Sequence, residues 1–197
     1  MYFPHPSVWD DPYDRPPIHK QAPNIFAQCW CRKAVSDAMW RIYSPHSLGV
    51  RIGTTAQLLQ DAMRVAQAKE GIKFRLQNIK YVHPGLLPDE LAKLELARKA
   101  RPSFATTIAS LFLKRRAFDH EHETRLVIHQ DPVAAGKARL GISIEIEAAK
   151  LIESIWIDPR APKEYIDAFK YYLKSKIKFR GTVAQSSLYS ATDPAGV

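Results

Sequence analysis

Between Glu121 and His129 the chain reads Glu-His-Glu-Thr-Arg-Leu-Val-Ile-His, and no other stretch limits the possible folds as tightly. Side chains of an extended strand alternate. Glu121, Glu123 and Arg125 therefore share one face, while His122, Thr124, Leu126 and Ile128 share the other. The second face is apolar enough to be buried. The first carries two carboxylates and a guanidinium, which are costly to bury unpaired, so it is wet, internally paired or a working site. A predicted helix ending at Phe112 delivers Lys114, Arg115 and Arg116 directly before this strand. One outcome is a structural ion-pair cluster in which Lys114, Arg115 or Arg125 neutralises the glutamates, the commoner fate of charge clusters. The other is a Glu-x-Glu active-site strand.

The rest of the chain supports a folded domain around that strand. At 197 residues with 46% apolar and 25% charged side chains, it suits one soluble domain whose core needs no staples. No apolar run approaches the roughly 18 residues of a membrane span, and no signal-peptide pattern opens the chain, so no membrane partner is expected. Cys29 and Cys31 are too close for a comfortable disulfide in an extended segment, which favours a reducing, cytoplasmic setting. As a lone Cys-x-Cys they are weak evidence for zinc, and no metal is expected. Oligomeric state is left open.

Net charge is +9, with cations recurring at Lys69, Lys73, Arg75, Lys93, Arg98, Lys99, Arg101, Lys114 to Arg116, Lys170, Lys174, Lys176 and Lys178. Such a field favours polyanions: nucleic acid, an anionic cofactor or an acidic partner surface. The competing reading is solvated helix faces. No ribonucleoprotein aromatic motif, Gly-x-x-Gly clamp or finger spacing is present.

Residues 1–24, rich in proline and aromatics, read as an irregular segment with a short strand at its start. Ile25 to Cys31 reads as a buried strand, and Ser36 to Tyr43 as a helix with Met39, Trp40 and Tyr43 inward. Gly49 to Thr54 follows as a strand with Val50 and Ile52 inward. Thr54 and Gln57 form a predicted capping box for a helix to about Lys69, burying Leu58, Leu59, Ala62, Met63 and Ala66. Phe74 to Val82 is the next strand. A helix from Pro88 carries Asp89 and Glu90 at its start and Arg98 and Lys99 at its end, as its dipole favours. Ser103 caps another, with Phe104, Ile108, Leu111 and Phe112 on one stripe. Gly141 to Glu147 alternates as a half-buried strand, and Ser154 to Ile157 is a short one. Ala161 to Lys176 is an amphipathic helix, Thr182 to Tyr189 a last strand, and 191–197 a flexible tail. The expected fold is one α+β domain over residues 1–190, a mixed, mostly antiparallel sheet flanked by helices.

Four pieces, in order, carry a resemblance: the Asp11-Pro12-Tyr13 turn, Met39-Trp40 with Tyr43, Gly49-Val50, and the block of Lys114, Arg115, Phe118, Glu121, Glu123 and Arg125. Together they resemble a bacterial family known as domain of unknown function 2971, over nearly the whole chain. Members of that family usually open with an additional strand and helix before the Asp-Pro turn, so this chain is expected to be a shortened version.

The Glu-x-Glu before an apolar strand is also similar to the catalytic strand of the ADP-ribosyltransferase fold. That likeness implies NAD as cofactor. Glu123 would stabilise an oxocarbenium-like transition state and Glu121 would orient or deprotonate the acceptor, in a toxin or phage-defence setting. Lys114, Arg115 and Arg125 would form the cofactor side, with Arg115 or Arg125 on the pyrophosphate. Two alternatives stand beside it: a basic nucleic-acid-binding module without catalysis, and a metal-dependent nuclease built on Glu121 and Glu123. His120 and His122 alternate away from the glutamates on a strand, so one ion cannot easily collect all four.

Overall fold

The computed structural model describes residues 1–11, 14, 24–33, 35–131 and 139–190. Pro12 and Tyr13 of the expected turn, most of the proline-rich segment's second half and the tail lie outside them. The fold is α+β, with mixed, mostly antiparallel strand pairing. Its described strands form four hydrogen-bonded sets rather than one sheet. The chain divides into two compact units, residues 1–32 with 60–146 and residues 33–59 with 147–197.

In the first unit, β2 (Ile25–Cys31), β7 (Glu123–His129) and β4 (Lys73–Asn78) form an antiparallel sheet with β7 in the centre. Six of the seven β7 residues are buried, because the strand is paired on both edges and covered on both faces. Residues Ile25, Ala27, Ile79, Ile108, Leu111, Phe112 and Val127 make one core cluster. Two further strand pairs complete the unit. β1 (Tyr2–Pro4) runs antiparallel to β8 (Gly141–Ser143), and β5 (Lys80–Val82) runs parallel to β6 (Leu113–Arg115).

The expected strand from Phe74 to Val82 is therefore two strands. Pairing with β7 stops at Asn78 opposite Thr124, the Ile79 N–H donates to the Glu123 carbonyl, and the chain then changes partner to β6. An alternating pattern cannot register such a change, because the side-chain period continues through it.

The helices need similar small corrections. α2 (Ala56–Glu70) starts one residue later than the proposed box: the Thr55 hydroxyl accepts from Leu58 N–H, while Thr54 donates to the Leu151 carbonyl. α3 (Leu87–Ala100) carries its charges as its dipole favours. α4 (Phe104–Ile108) has a reciprocal capping box between Ser103 and Thr106. It tightens into a 3₁₀ turn over Ala109–Phe112 and passes straight into β6. Lys114 and Arg115 thus stand on a strand rather than on a helix end.

The second unit holds α1 (Asp37–Tyr43), β3 (Val50–Gly53), α5 (Ala148–Leu151), β9 (Ser154–Ile157), α6 (Lys163–Tyr171) and β10 (Thr182–Gln185). Its sheet order is β10-β9-β3, parallel at the first junction and antiparallel at the second. β10 ends four residues earlier than expected, because Ser187–Tyr189 closes into a 3₁₀ turn. Trp40 is buried as expected, but Tyr43, Val50 and Ile52 are exposed. β3 is an edge strand, so its apolar face is only half covered, and Arg51 on the opposite face lies over the Trp156 ring.

A polar knot ties this unit together. Asp158 is fully buried and accepts from Arg160, whose Nη2 also donates to the Trp40 and Ser44 carbonyls at the end of α1. A cation on the last carbonyls of a helix satisfies groups that otherwise lack partners. The Ser44 hydroxyl accepts from Gly49 N–H at 2.9 Å, and a Cβ on Gly49 would come within 2.6 Å of that oxygen. Gly49 is thus a close-approach glycine, and the Trp40 and Gly49 segments belong to this knot.

Candidate functional site

All five charged residues singled out in the sequence lie in the first unit, and four of them meet directly. Glu123 and Arg125 point from β7 toward the core cluster, flanking one another as an alternating strand requires. Lys114 reaches them from β6, its Nζ lying 3.1 Å from the Glu123 carboxylate and hydrogen-bonding Glu121. Glu121 does not arrive on the strand. It ends a 3₁₀ turn over Arg116–Glu121, and His122, left-handed at φ 44°, redirects the chain so that β7 begins at Glu123. The expected common face for Glu121, Glu123 and Arg125 is realised by a turn, not by strand alternation.

Arg125 is 1% exposed and its guanidinium is engaged on three sides. Nε and Nη2 donate to Glu123, Nη2 also to Asp14 at 2.8 Å, and Nη1 to the Leu111 carbonyl at 2.8 Å. Trp9 stacks under it with 4.5 Å from ring centre to guanidinium carbon. Arg115 stands at the edge, donating to both carboxylate oxygens of Asp11, while Lys114 and Arg115 both lie over the Phe118 ring. The Glu123 backbone N–H donates to the Tyr81 hydroxyl at 2.8 Å.

The electrostatics follow from this packing. Burial alone would push the Glu123 carboxyl up. The hydrogen bonds and charge of Arg125, with the Cys29 thiol and Lys114, outweigh that, and its pKa lies below the ordinary value. Desolvation likewise opposes the charges of Lys114 and Arg125, yet hydrogen bonds and charge from the surrounding carboxylates leave both pKa values raised. Cys29, exposed as a residue, turns its thiol to Glu123. Burial first and the Glu123 charge second push that thiol up, so it stays a protonated donor.

Asp14, Cys29, Tyr81 and Trp9 were not legible as members of this site. Asp14 and Trp9 sit more than a hundred positions from Arg125, and no spacing pattern links them.

A dinucleotide does not fit the cluster as it stands. Two cations, Lys114 and Arg125, face three carboxyl groups, Asp14, Glu121 and Glu123, and both are already committed to them. A pyrophosphate would meet a surplus of negative charge, and Arg115 gives its guanidinium to Asp11. Among the described residues no group of three or more His, Cys, Asp and Glu is arranged to hold a metal ion, and no helix is long and apolar enough to cross a membrane. No family model matches the chain, and no curated protein or solved structure matches it either.

Proposed function

We propose that this protein binds nucleic acid electrostatically through its exposed cations. The observation that carries the reading is where the charge lies. The chain is +9, while the buried cluster holds two cations against three carboxyl groups. The surplus therefore belongs to the remaining surface, where it can meet phosphates. Neutralising phosphates releases condensed counterions, so such binding weakens steeply as salt rises. The test is a titration of labelled DNA and RNA oligonucleotides at two ionic strengths. Salt-sensitive binding is expected, and no binding at low salt overturns the reading.

ADP-ribosyl transfer is a second reading, resting on the resemblance and favoured by one observation: Glu121 and Glu123 converge on the same ammonium group. It requires Glu123 to leave Lys114 and Arg125 for a substrate. Incubation with labelled NAD, alone and with DNA, RNA or cell lysate, tests it. Label transfer lost in a Glu123→Gln variant that circular dichroism shows to be folded supports it, and label transfer that survives in that variant overturns the assignment of Glu123.

A further inference from the structure

We infer that residues 170–180 form a docking site for single-stranded nucleic acid, in which Tyr171 and Tyr172 stack bases and the surrounding cations follow the backbone. This rests on the electrostatic reading above and gives it a place. The segment reads Lys-Tyr-Tyr-Leu-Lys-Ser-Lys-Ile-Lys-Phe-Arg. It carries Lys170, Lys174, Lys176, Lys178 and Arg180, and no Asp or Glu occurs from residue 168 to residue 192. Elsewhere, exposed cations are commonly matched by neighbours, as Lys69 is by Glu145 and Lys80 and Lys93 are by Glu90. Among the described residues none of these five cations makes an ion pair. Charge complementarity therefore points outward to an anion.

The aromatic half of the site is equally specific. Tyr171 is 64% and Tyr172 53% exposed, next to one another at the end of α6. Adjacent exposed tyrosines are unusual on a solvated helix, whose outer face needs only charge. Stacking on an aromatic ring is open to any base with a free face, which single strands offer and duplexes do not.

Two departures from regular backbone occur here. Residues Tyr172–Lys176 form a π turn, a feature frequent at functional sites. Lys178 then takes a left-handed conformation, φ 59°, in which the Phe179 N–H turns back to the Leu173 carbonyl. Glycine is the residue that ordinarily fills such a position after a helix. A lysine there is strained, and the strained position carries one of the segment's exposed cations.

A membrane surface would want the same charges, but an interfacial helix must also offer an apolar face. The apolar stripe that runs through α6 into the π turn is largely used: Ile166 and Leu173 are buried, Ile166 packs with Ile157, Ala161, Tyr165 and Phe169, and Ile177 is the one exposed aliphatic side chain of residues 170–180. Single-stranded nucleic acid is thus the better match.

The experiment is fluorescence anisotropy on the full chain with a labelled single-stranded oligonucleotide, the same sequence as duplex, and phosphatidylserine vesicles. Tyr171→Ala with Tyr172→Ala should weaken single-strand binding on the order of tenfold or more, and the corresponding Phe pair should restore it. Replacing Lys174, Lys176 and Lys178 with Gln should make the logarithmic salt slope shallower by roughly 2. Lys73, Lys93 and Lys99 changed to Gln remove the same charge elsewhere and should leave affinity within about twofold. Single-strand binding that survives both segment variants overturns this location while leaving the electrostatic reading intact. Preference for duplex or for vesicles overturns the assigned partner, and no binding to any oligonucleotide overturns both readings.

Discussion

Arg125 donates to the carboxylate of Glu123 two residues before it on the same strand, and this bond is the centre of the first unit's polar interior. Arg160 makes the same backward reach to Asp158 in the second unit. Both carboxylates are buried, so each arginine neutralises a charge that water cannot reach. The two pairs share a physical logic: a short sequence separation makes the partner unavoidable, and distant groups then complete its hydrogen bonds.

Removing one member of such a pair should be costly. Glu123→Gln takes from Arg125 the carboxylate that accepts from both its Nε and Nη2 and should destabilise the fold by about 3–5 kcal/mol, as for other broken buried pairs. Arg125→Met should cost a similar amount, and the double variant should cost clearly less than the two together. Urea denaturation of the three variants measures this. Strict additivity would show that the two residues do not act as a pair.

Acid should find the same groups. The Glu123 pKa is depressed, with burial opposed by Arg125 hydrogen bonds and charge, and that of Asp158 is depressed with burial opposed by Arg160. A carboxylate whose folded value is lowered contributes stability above its unfolded value and loses it as pH falls through the folded one. The melting temperature should hold from neutral pH to about pH 5 and drop below it. Glu123→Gln should flatten that acid limb, and an unchanged acid slope in the variant would remove Glu123 from the explanation.

In the second unit, Trp40→Ala should cost roughly 3–5 kcal/mol, the usual penalty for truncating a buried aromatic; Trp40 is 7% exposed. Gly49→Ala should also destabilise, because its Cβ would collide with the Ser44 oxygen that Gly49 N–H and Asp158 both use. Ser44→Gly, which removes both the oxygen and the Cβ that the new methyl would meet at 2.6 and 2.7 Å, should itself destabilise, but introducing Gly49→Ala on that background should cost less than introducing it into the wild type. Thermal melts of the single and double variants distinguish a local clash from a general loss of turn flexibility, which would penalise Gly49→Ala equally in both.

Lys178→Gly separates stability from binding. Relief of the left-handed conformation should raise stability by up to about 1 kcal/mol, while the lost cation should weaken oligonucleotide binding. Calorimetry and anisotropy on the same preparation read both. A variant that is less stable would mean that the lysine side chain supports the fold.

Local physics was legible in the amino-acid order alone: β2 from Ile25 to Cys31, the β7 register with Glu123 and Arg125 on one face, the Ser103 cap and the burial of Trp40. Each depends on side-chain period or on neighbours a few residues away, which the sequence states directly. The α+β class and its mixed pairing follow from the same signals. Tertiary structure alone decided which partner each group would find. It broke the Phe74 to Val82 pattern between two sheets and moved Lys114 from a helix end to a strand. It also brought Asp14 and Trp9 across more than a hundred positions to Arg125, and Ser44 and Gly49 to the Asp158–Arg160 pair. These are choices of desolvation: a charge leaves water only where distant groups can satisfy it, and the distance between those groups along the chain carries no periodic mark.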